Sequence, residues 1–280
     1  MQNKAKPIFD VVVSCAGRFD MLALCLDAIY ADATYPITIT VIDDATKKEE
    51  KIHNKHLFEY NKEKDVHNNV VSFTTYRNET QLGFGGSYNK GARNSRAPYL
   101  TILNDDVVID SGYFDKIYEV MKDETIGIVG SRLIFPMTST QPNRPAGKIQ
   151  HVGIAMDIRG NIIHPLIGWS SDNPKTMISR EAFAITGALF TTRSSVFRSV
   201  GGFDPIYGLG YYEDVSLCLK VRQKGGRIWY ESSTGGTHYT NATTEKNPTA
   251  FGNQFQQNAM TFRTRWANSG LLLFDSWTYG

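Results

Sequence analysis

The chain has 280 residues, 41% apolar and 21% charged, and its 30 Lys and Arg against 28 Asp and Glu leave a formal charge of +2. That length fits one large α/β domain or two small ones with room for a substantial core, and a balanced charge neither argues for nor excludes a nucleic-acid partner. No run nears the ~20 apolar residues of a membrane span, the opening MQNKAKPIFD lacks the apolar core of a secretion signal, and Cys15, Cys25 and Cys218 stand singly in apolar segments, which argues against a disulfide framework or zinc site and for a reducing, cytoplasmic setting.

In chain order, residues 8–15 (IFDVVVSC) read as a buried strand. Residues 18–30 read as a helix, with Leu22, Cys25, Leu26 and Ile29 on one face. Residues 37–42 form a β-branched strand ending at Asp43-Asp44. Residues 47–60 read as an exposed helix, 69–75 as a strand, 85–94 as a helix behind a glycine turn, and 99–103 as an apolar strand ending at Asn104-Asp105-Asp106. Buried strands alternating with helices predict a mostly parallel sheet with helices on both faces. Ligands bind such sheets beyond the carboxyl ends of the strands, and here Ser14, Asp43-Asp44 and Asn104-Asp105-Asp106 all fall at strand ends.

The second half is less regular. Residues 127–135 read as a strand, 136–147 as a turn-rich loop, 149–163 as a hairpin about Arg159-Gly160-Asn161, and 169–175 as a loop. Residues 184–192 read as a strand and 194–200 as a short helix. Residues 214–224 alternate like a strand, but their acidic start and Lys224-Gly225-Gly226 end favour a helix. Residues 227–230 complete the strands, and 251–266 fit a terminal helix.

Four features could carry chemistry. The Asn104-Asp105-Asp106 carboxylates could hold a hard divalent cation against a diphosphate, or only solvate a strand end. Asp43-Asp44 could accept hydrogen bonds from a base or ribose, or cap a helix. The run NETQLGFGGSYNKGAR, with Gly83 and Gly85, could bring backbone amides close to phosphate, or only turn the chain; it lacks the spacing of a P-loop. Glu213-Asp214, after YGLGYY, could supply a general base, or complement a helix dipole. His238, after a small-residue stretch, could complete a metal site or be structural.

The order of these features resembles the family 2 glycosyltransferases with the GT-A fold, over roughly residues 9–240. VVVSCAGRFDMLALCLDAI with ITVIDDAT is similar to that family's opening strand, helix and base-binding aspartate. NETQLGFGGSYNKGARNSRAPYLTILNDDVVID resembles its glycine loop and metal motif, with Asn104 in the first place of the usual Asp-x-Asp. AITGALFTTRSSVFRSVGGFDPIYGLGYYEDVSLCLKVRQKGG resembles its acceptor segment and base motif. The resemblance implies a Rossmann-like α/β GT-A domain over residues 1–240, with a nucleotide-binding half to about 130, an acceptor-side half beyond it, and a helical extension over 241–280.

It further implies Asp106 as principal metal ligand, helped by Asn104 and Asp105 and joined by His238, with Mn²⁺ or Mg²⁺ as the ion. Asp43 would lie at the nucleobase beside Asp44, Ser14 and Arg18, with Gly83, Gly85 and Asn89 on the donor side. Gly187 and Ala188 would line the acceptor pocket. Asp214 would be the base of an inverting transfer and Glu213 its helper. The implied partners are a nucleoside-diphosphate sugar, UDP-linked by family habit, and a saccharide acceptor. A hydroxylated base in DNA is an alternative, for which Arg144, Lys148, Arg159, Lys175 and Arg180 are available. A nucleotidyltransferase would need a more basic, glycine-rich N-terminal signature than SCAGRFD, and a non-catalytic sugar-nucleotide module would have no need of Asp106, Asp214 and His238 together.

Overall fold

In a computed structural model, residues 5–46, 69–240 and 248–272 are described; the helix expected over 47–60 lies outside them. The first strands are β1 (Phe9–Cys15), β2 (Ile37–Asp43), β3 (Val70–Arg77) and β4 (Tyr99–Asn104), with α1 (Phe19–Ala31) and α2 (Gly83–Ala92) between them. They pair in parallel in the order β3-β2-β1-β4. Their apolar runs are buried because helices cover both faces: α2 packs near β1 and β2, while Leu22, Cys25, Leu26 and Ile29 of α1 join a second core with Val11, Val13 and Leu103. The expected mostly parallel α/β sheet is therefore what the chain forms.

The chain continues through β5 (Val107–Ile109), α3 (Tyr113–Val120), β6 (Ile126–Ile134), β7 (Ile149–His151), β8 (Ala155–Met156), β9 (Ile162–Ile163), β10 (Arg180–Glu181), β11 (Leu189–Arg193), α4 (Ser194–Ser199), α5 (Glu213–Gln223), β12 (Arg227–His238) and α6 (Pro248–Trp266). The main sheet has ten strands; β6 and β12 form a second parallel block, joined to the first by antiparallel β11.

Three expectations change, and the helix favoured over 214–224 holds. The hairpin over 149–163 splits at Gly153, whose φ is +100°: β7 pairs with β6, while β8 and β9 pair only with each other. The strand expected from Ala184 begins at Leu189, with a single bridge from Ala184 to Ile154. The 214–224 segment is helical, beginning at Glu213. The strand expected to end at Tyr230 runs on to His238 and pairs there with β5, His238 opposite Val107. That extension needs glycine: a Cβ on Gly235 would stand 1.8 Å from the Arg132 carbonyl oxygen. No helix among the described residues is long and apolar enough to cross a membrane.

Candidate active site

Parallel register sets Ser14 of β1 beside Asn104 of β4 and Cys15 beside Asp43 of β2, so the three polar strand ends share one edge. A cavity of about 270 Å³ opens there. Ser14, Arg18, Asp44, Asn104, Asp105 and Asp106 line its strand side, and Gly83 and Glu213 also reach it together with His238. Asp43, Gly85, Asn89 and Asp214 do not.

The β5–β12 ladder delivers His238 to Asp106, and Tyr239 N–H donates to the Asp106 carbonyl at 2.9 Å. His238 Nε2 lies 3.0 Å from Asp106 Oδ1. The contact is close but not aligned as a hydrogen bond, and Oδ1 is buried without a hydrogen-bond partner. On the far side of the ring, Nδ1 is 3.0 Å from Gln150 Oε1. With that oxygen as acceptor, Nδ1 carries a proton, and in the neutral ring the lone pair of Nε2 faces Asp106. A carboxylate oxygen and an imidazole lone pair facing each other suit a shared cation. Two ligands at right angles on bonds of about 2.1 Å lie about 3.0 Å apart, and a ligating His donates its other N–H to a fixed acceptor.

Among the described residues no three His, Cys, Asp or Glu side chains converge on one point. The pair would therefore need water or ligand oxygens to complete a coordination shell, the habit of cations that bind diphosphates. Burial works to raise the Asp106 carboxyl; a proton on His238 Nε2, whose place a bound cation would take, together with the Asp106 backbone N–H and Arg18, outweighs it and holds it low. Its neighbour Asp105 is pushed well up, by burial and then by the Asp106 charge, against the pull of Arg18.

Asp44 is a staple. Its Oδ1 accepts from Leu82 N–H and Asn78 Nδ2, both at 2.8 Å, and Oδ2 from Gly83 N–H at 3.0 Å, tying the end of β2 to the start of α2. Gly83 has φ +72°, and a Cβ there would meet the Gly208 carbonyl oxygen at 2.4 Å. Its bare backbone lets α2 start against residues 208–210, where Phe84 N–H donates to the Leu209 carbonyl at 3.1 Å.

The structure turns Asp43 away from the cavity. Its carboxylate is buried, accepting from Thr46 N–H at 2.9 Å and pairing with Arg77. Gly85 packs against Phe203, and Asn89 exchanges hydrogen bonds with the Phe203 backbone, so both clamp α2 rather than reach a ligand.

The second doublet opens α5. Glu213, only 6% exposed, lies on the cavity wall with Oε2 unpartnered. Burial, and then the Asp214 charge, push its carboxyl well up. Asp214 faces elsewhere: Oδ2 accepts from Gly187 N–H at 2.9 Å and Oδ1 from Val215 N–H at 2.8 Å. Burial raises it too, but those N–H bonds pull it back. Gly187 and Ala188 thus sit beside the doublet, with Phe84 packed between Gly187 and the cavity.

Sequence reasoning missed three supports. Gln150 orients His238. Phe84 and Tyr88 floor the cavity. Asn258 of α6 is buried, with Nδ2 at 2.7, 2.8 and 3.1 Å from the Gly210, Tyr207 and Tyr211 carbonyl oxygens, pinning the loop before the doublet. Gln150 and Asn258 belong to no local motif, while Phe84 and Tyr88 lie inside the glycine run. Of the basic residues considered for DNA, Arg180 is folded inward, donating to the Val152 carbonyl and stacked over Tyr230, and Lys148 bonds Ser170.

The family model described as glycosyl transferase family 2 matches residues 10–186, more than half of the chain. The chain belongs to glycosyl transferase family 2. The match takes in the strand-end carboxylates and stops short of Glu213, Asp214 and His238. Among curated relatives, the chain is 25% identical over 250 residues to the O-antigen biosynthesis protein RfbC of Myxococcus xanthus, covering 86% of this chain and 18% of that protein. It is 25% identical over 149 residues to the pre-mycofactocin glycosyltransferase of Mycobacterium tuberculosis, covering 53% and 28%. The family 2 chain thus spans under a third of the length of either relative.

Solved structures share the GT-A fold. GalNAc-T7 with UDP, GalNAc and Mn²⁺ matches with a TM-score of 0.65 at 18% identity, over 85% of this chain and 44% of that one. Mannosyltransferase PcManGT from Pyrobaculum calidifontis with GDP-Man and Mn²⁺ matches at 0.60 and 13%, over 85% and 59%. S. aureus TarS 1-349 with UDP-GlcNAc matches at 0.56 and 12%, over 85% and 60%.

Proposed function

We propose that this family 2 member is an inverting, metal-dependent glycosyltransferase that moves a sugar from a nucleoside-diphosphate sugar, UDP-linked in the first instance, to a hydroxyl of a saccharide. One observation carries the reading: a single cavity at the carboxyl ends of the parallel strands joins the cation-ready Asp106–His238 pair to a wall formed by Glu213. Residues 1–130 would hold the donor and 131–240 the acceptor, and α6 would buttress the loop before α5 through Asn258. Buried Cys15, Cys25 and Cys218, all unpaired, suit the reducing cytoplasm expected for such an enzyme.

Asp106 and His238 would hold Mn²⁺ or Mg²⁺, which supplies Lewis-acid neutralisation of the departing diphosphate when bound. Arg18, on the same wall, adds a fixed positive charge. Asp214, which stands outside this cavity on the Gly187 side, takes the proton from the acceptor hydroxyl as that oxygen bonds the anomeric carbon and the bond to the diphosphate oxygen breaks on the opposite face. The Gly187 and Val215 N–H groups orient the Asp214 carboxylate and favour its ionised form against burial. Burial and then the Asp214 charge push Glu213 further up, which favours its protonated form. A buried acidic pair whose environments push its members apart in this way divides the roles between them.

Asp43 acts on the donor through the 44–46 turn that it holds, instead of touching a base directly. The uridine nucleotides bound by GalNAc-T7 and TarS, against the guanosine nucleotide bound by the mannosyltransferase, make the base the first thing to test. Purified protein is incubated with UDP- and GDP-hexoses and Mn²⁺ while nucleotide release is followed, and Mn²⁺ binding is measured by calorimetry in wild type and Asp106→Ala. Release from a uridine donor that stops with chelator is expected. Undiminished release in excess chelator would refute the metal assignment, and folded protein that turns over no nucleotide sugar would remove the reading.

A further inference from the structure

A second cavity, also about 270 Å³, lies on the acceptor side between β6, β7 and the segment after β9. Its wall includes Phe135, Asn143, Gln150, His151, His164 and Thr186. Two of these adjoin the catalytic groups. Gln150 is the residue against His238 Nδ1, and Thr186 directly precedes Gly187, whose N–H holds Asp214. A molecule seated here would lie next to both the cation pair and the base.

The two histidines are chemically specified by their contacts. His151 Nε2 faces two backbone donors, Gly153 N–H at 3.2 Å and Thr186 N–H at 3.5 Å, so it must be an acceptor. A neutral imidazole with one nitrogen accepting carries its proton on the other. His151 is buried, and burial followed by the nearby His164 holds it well below the ordinary histidine range, so it is neutral. Its Nδ1–H therefore donates to His164 Nδ1 at 3.2 Å. His164 Nδ1 is then an acceptor, and its proton sits on Nε2. His164 is exposed and lines the cavity. The relay from Gly153 through His151 thus fixes His164 as a donor of one N–H, with no freedom to switch tautomer.

The remaining lining favours an uncharged hydroxylated ring. Asn143, Gln150 and Thr186 offer neutral donors and acceptors, and Phe135 and Ile167 offer apolar surface for a ring face. Among the described residues no carboxylate lines the wall, and Arg144 is the one full charge on it. We propose that this second cavity is the seat of a neutral sugar ring, and that His164, locked by His151, selects it by donating Nε2–H to one of its oxygens.

The assignment deepens the glycosyltransferase reading and rests on it for the word acceptor. Its test separates the two. Methyl α- and β-hexopyranosides are used as probes in ligand-observed saturation-transfer NMR with the full chain, without donor or metal. At least one should receive saturation from wild type, lose most of it with His164→Leu, and regain it with His164→Gln, whose amide nitrogen stands near the position of Nε2. Where transfer to that glycoside is measured, His164→Leu should raise its KM about 5–10-fold, the worth of one neutral hydrogen bond, and leave kcat and donor hydrolysis unchanged. A purely structural role would lower kcat, donor hydrolysis and thermal stability together. Saturation that is absent in wild type, or equal in wild type and His164→Leu, overturns the proposal. So does a preference for methyl glucuronide that Arg144→Met abolishes and His164→Leu spares. Failure of donor hydrolysis with sugar binding intact would count only against the glycosyltransferase reading.

Discussion

Two acidic doublets at the site, Asp105-Asp106 after β4 and Glu213-Asp214 at the head of α5, are split by different means. In the first, the imidazole of His238 and the guanidinium of Arg18 pull one carboxyl down while burial drives the other up. In the second, burial raises both carboxyls, and the backbone N–H groups of Gly187 and Val215 pull back only Asp214. Neighbouring carboxylates in a low-dielectric site cannot both ionise cheaply. Partners brought from distant strands and loops decide which one does. A doublet with one carboxyl held ionised beside an imidazole nitrogen is suited to holding a cation, and a doublet held only by N–H dipoles is suited to exchanging a proton.

The largest effect should come from the first doublet. Asp106→Ala removes the carboxylate and leaves His238 alone, so Mn²⁺ binding by calorimetry should vanish and transfer should fall to background. Several kcal/mol of charge stabilisation is at stake, and each 1.36 kcal/mol is tenfold in rate. Asp105→Asn, which removes the carboxyl driven up by burial, should leave Mn²⁺ binding largely in place. Equal loss in both variants would dissolve the distinction within the doublet.

In the second doublet the order is set by the proton. Asp214→Asn keeps shape but cannot accept a proton, so turnover should drop ~10²-fold or more with nucleotide affinity near wild type. Glu213→Gln keeps a hydrogen-bond donor on the cavity wall and should cost less than tenfold by the same reasoning. The reverse ranking in kcat would exchange the two roles.

Glu213 also leaves a signature in stability. Its folded value lies well above the ordinary 4.5, so the unfolded chain gives up the proton first as pH rises. Stability from this group is complete below pH 4.5 and is lost progressively above it, up to the folded value. Glu213→Gln abolishes the loss. Its melting temperature relative to wild type should therefore climb between pH 4.5 and pH 8, by roughly 2–4 °C for each kcal/mol recovered. A difference that stays flat across that range would mean Glu213 is ionised in the fold.

How much of this was legible in the sequence follows from where each partner comes from. Strands β1, β2 and β4 announce themselves because strands buried on both faces read as continuous apolar runs, and their polar ends mark the cavity. Helix α3 does not: its start is held by Asp32, at the end of α1, whose carboxylate accepts from Gly112 and Phe114 N–H, a cap no local window contains. The last part of β12, SSTGGTH, reads as loop because glycine and serine are poor strand formers, yet Gly235 is there so that the strand can pass the Arg132 carbonyl and carry His238 to Asp106. Asp43 shows the opposite failure. Its place at a strand end was legible, but the salt bridge that occupies it comes from Arg77 on the next strand. Gln150 and Asn258 carry no motif, and only tertiary contact gives them meaning.

The smallest effect probes how each doublet is held. Asp105-Asp106 is set by a β-ladder, whereas Glu213-Asp214 hangs from the 207–212 loop, in which Tyr211 and Tyr212 both have positive φ, +74° and +71°. Non-glycine residues hold that conformation only when their surroundings impose it. Here the imposing group is Asn258, whose amide faces three carbonyl oxygens of that loop. Asn258→Ala strips those oxygens of their buried donor at about 1–3 kcal/mol, so the loop should relax. Thermal stability should fall accordingly, kcat should drop severalfold through the displaced doublet, and Mn²⁺ affinity should stay at wild type because nothing in the β5–β12 ladder has moved. Asn258→Asp offers oxygens to oxygens and should be worse than alanine. Loss of Mn²⁺ affinity in parallel with kcat would show instead that α6 supports the whole cavity, and that the two doublets are not held independently.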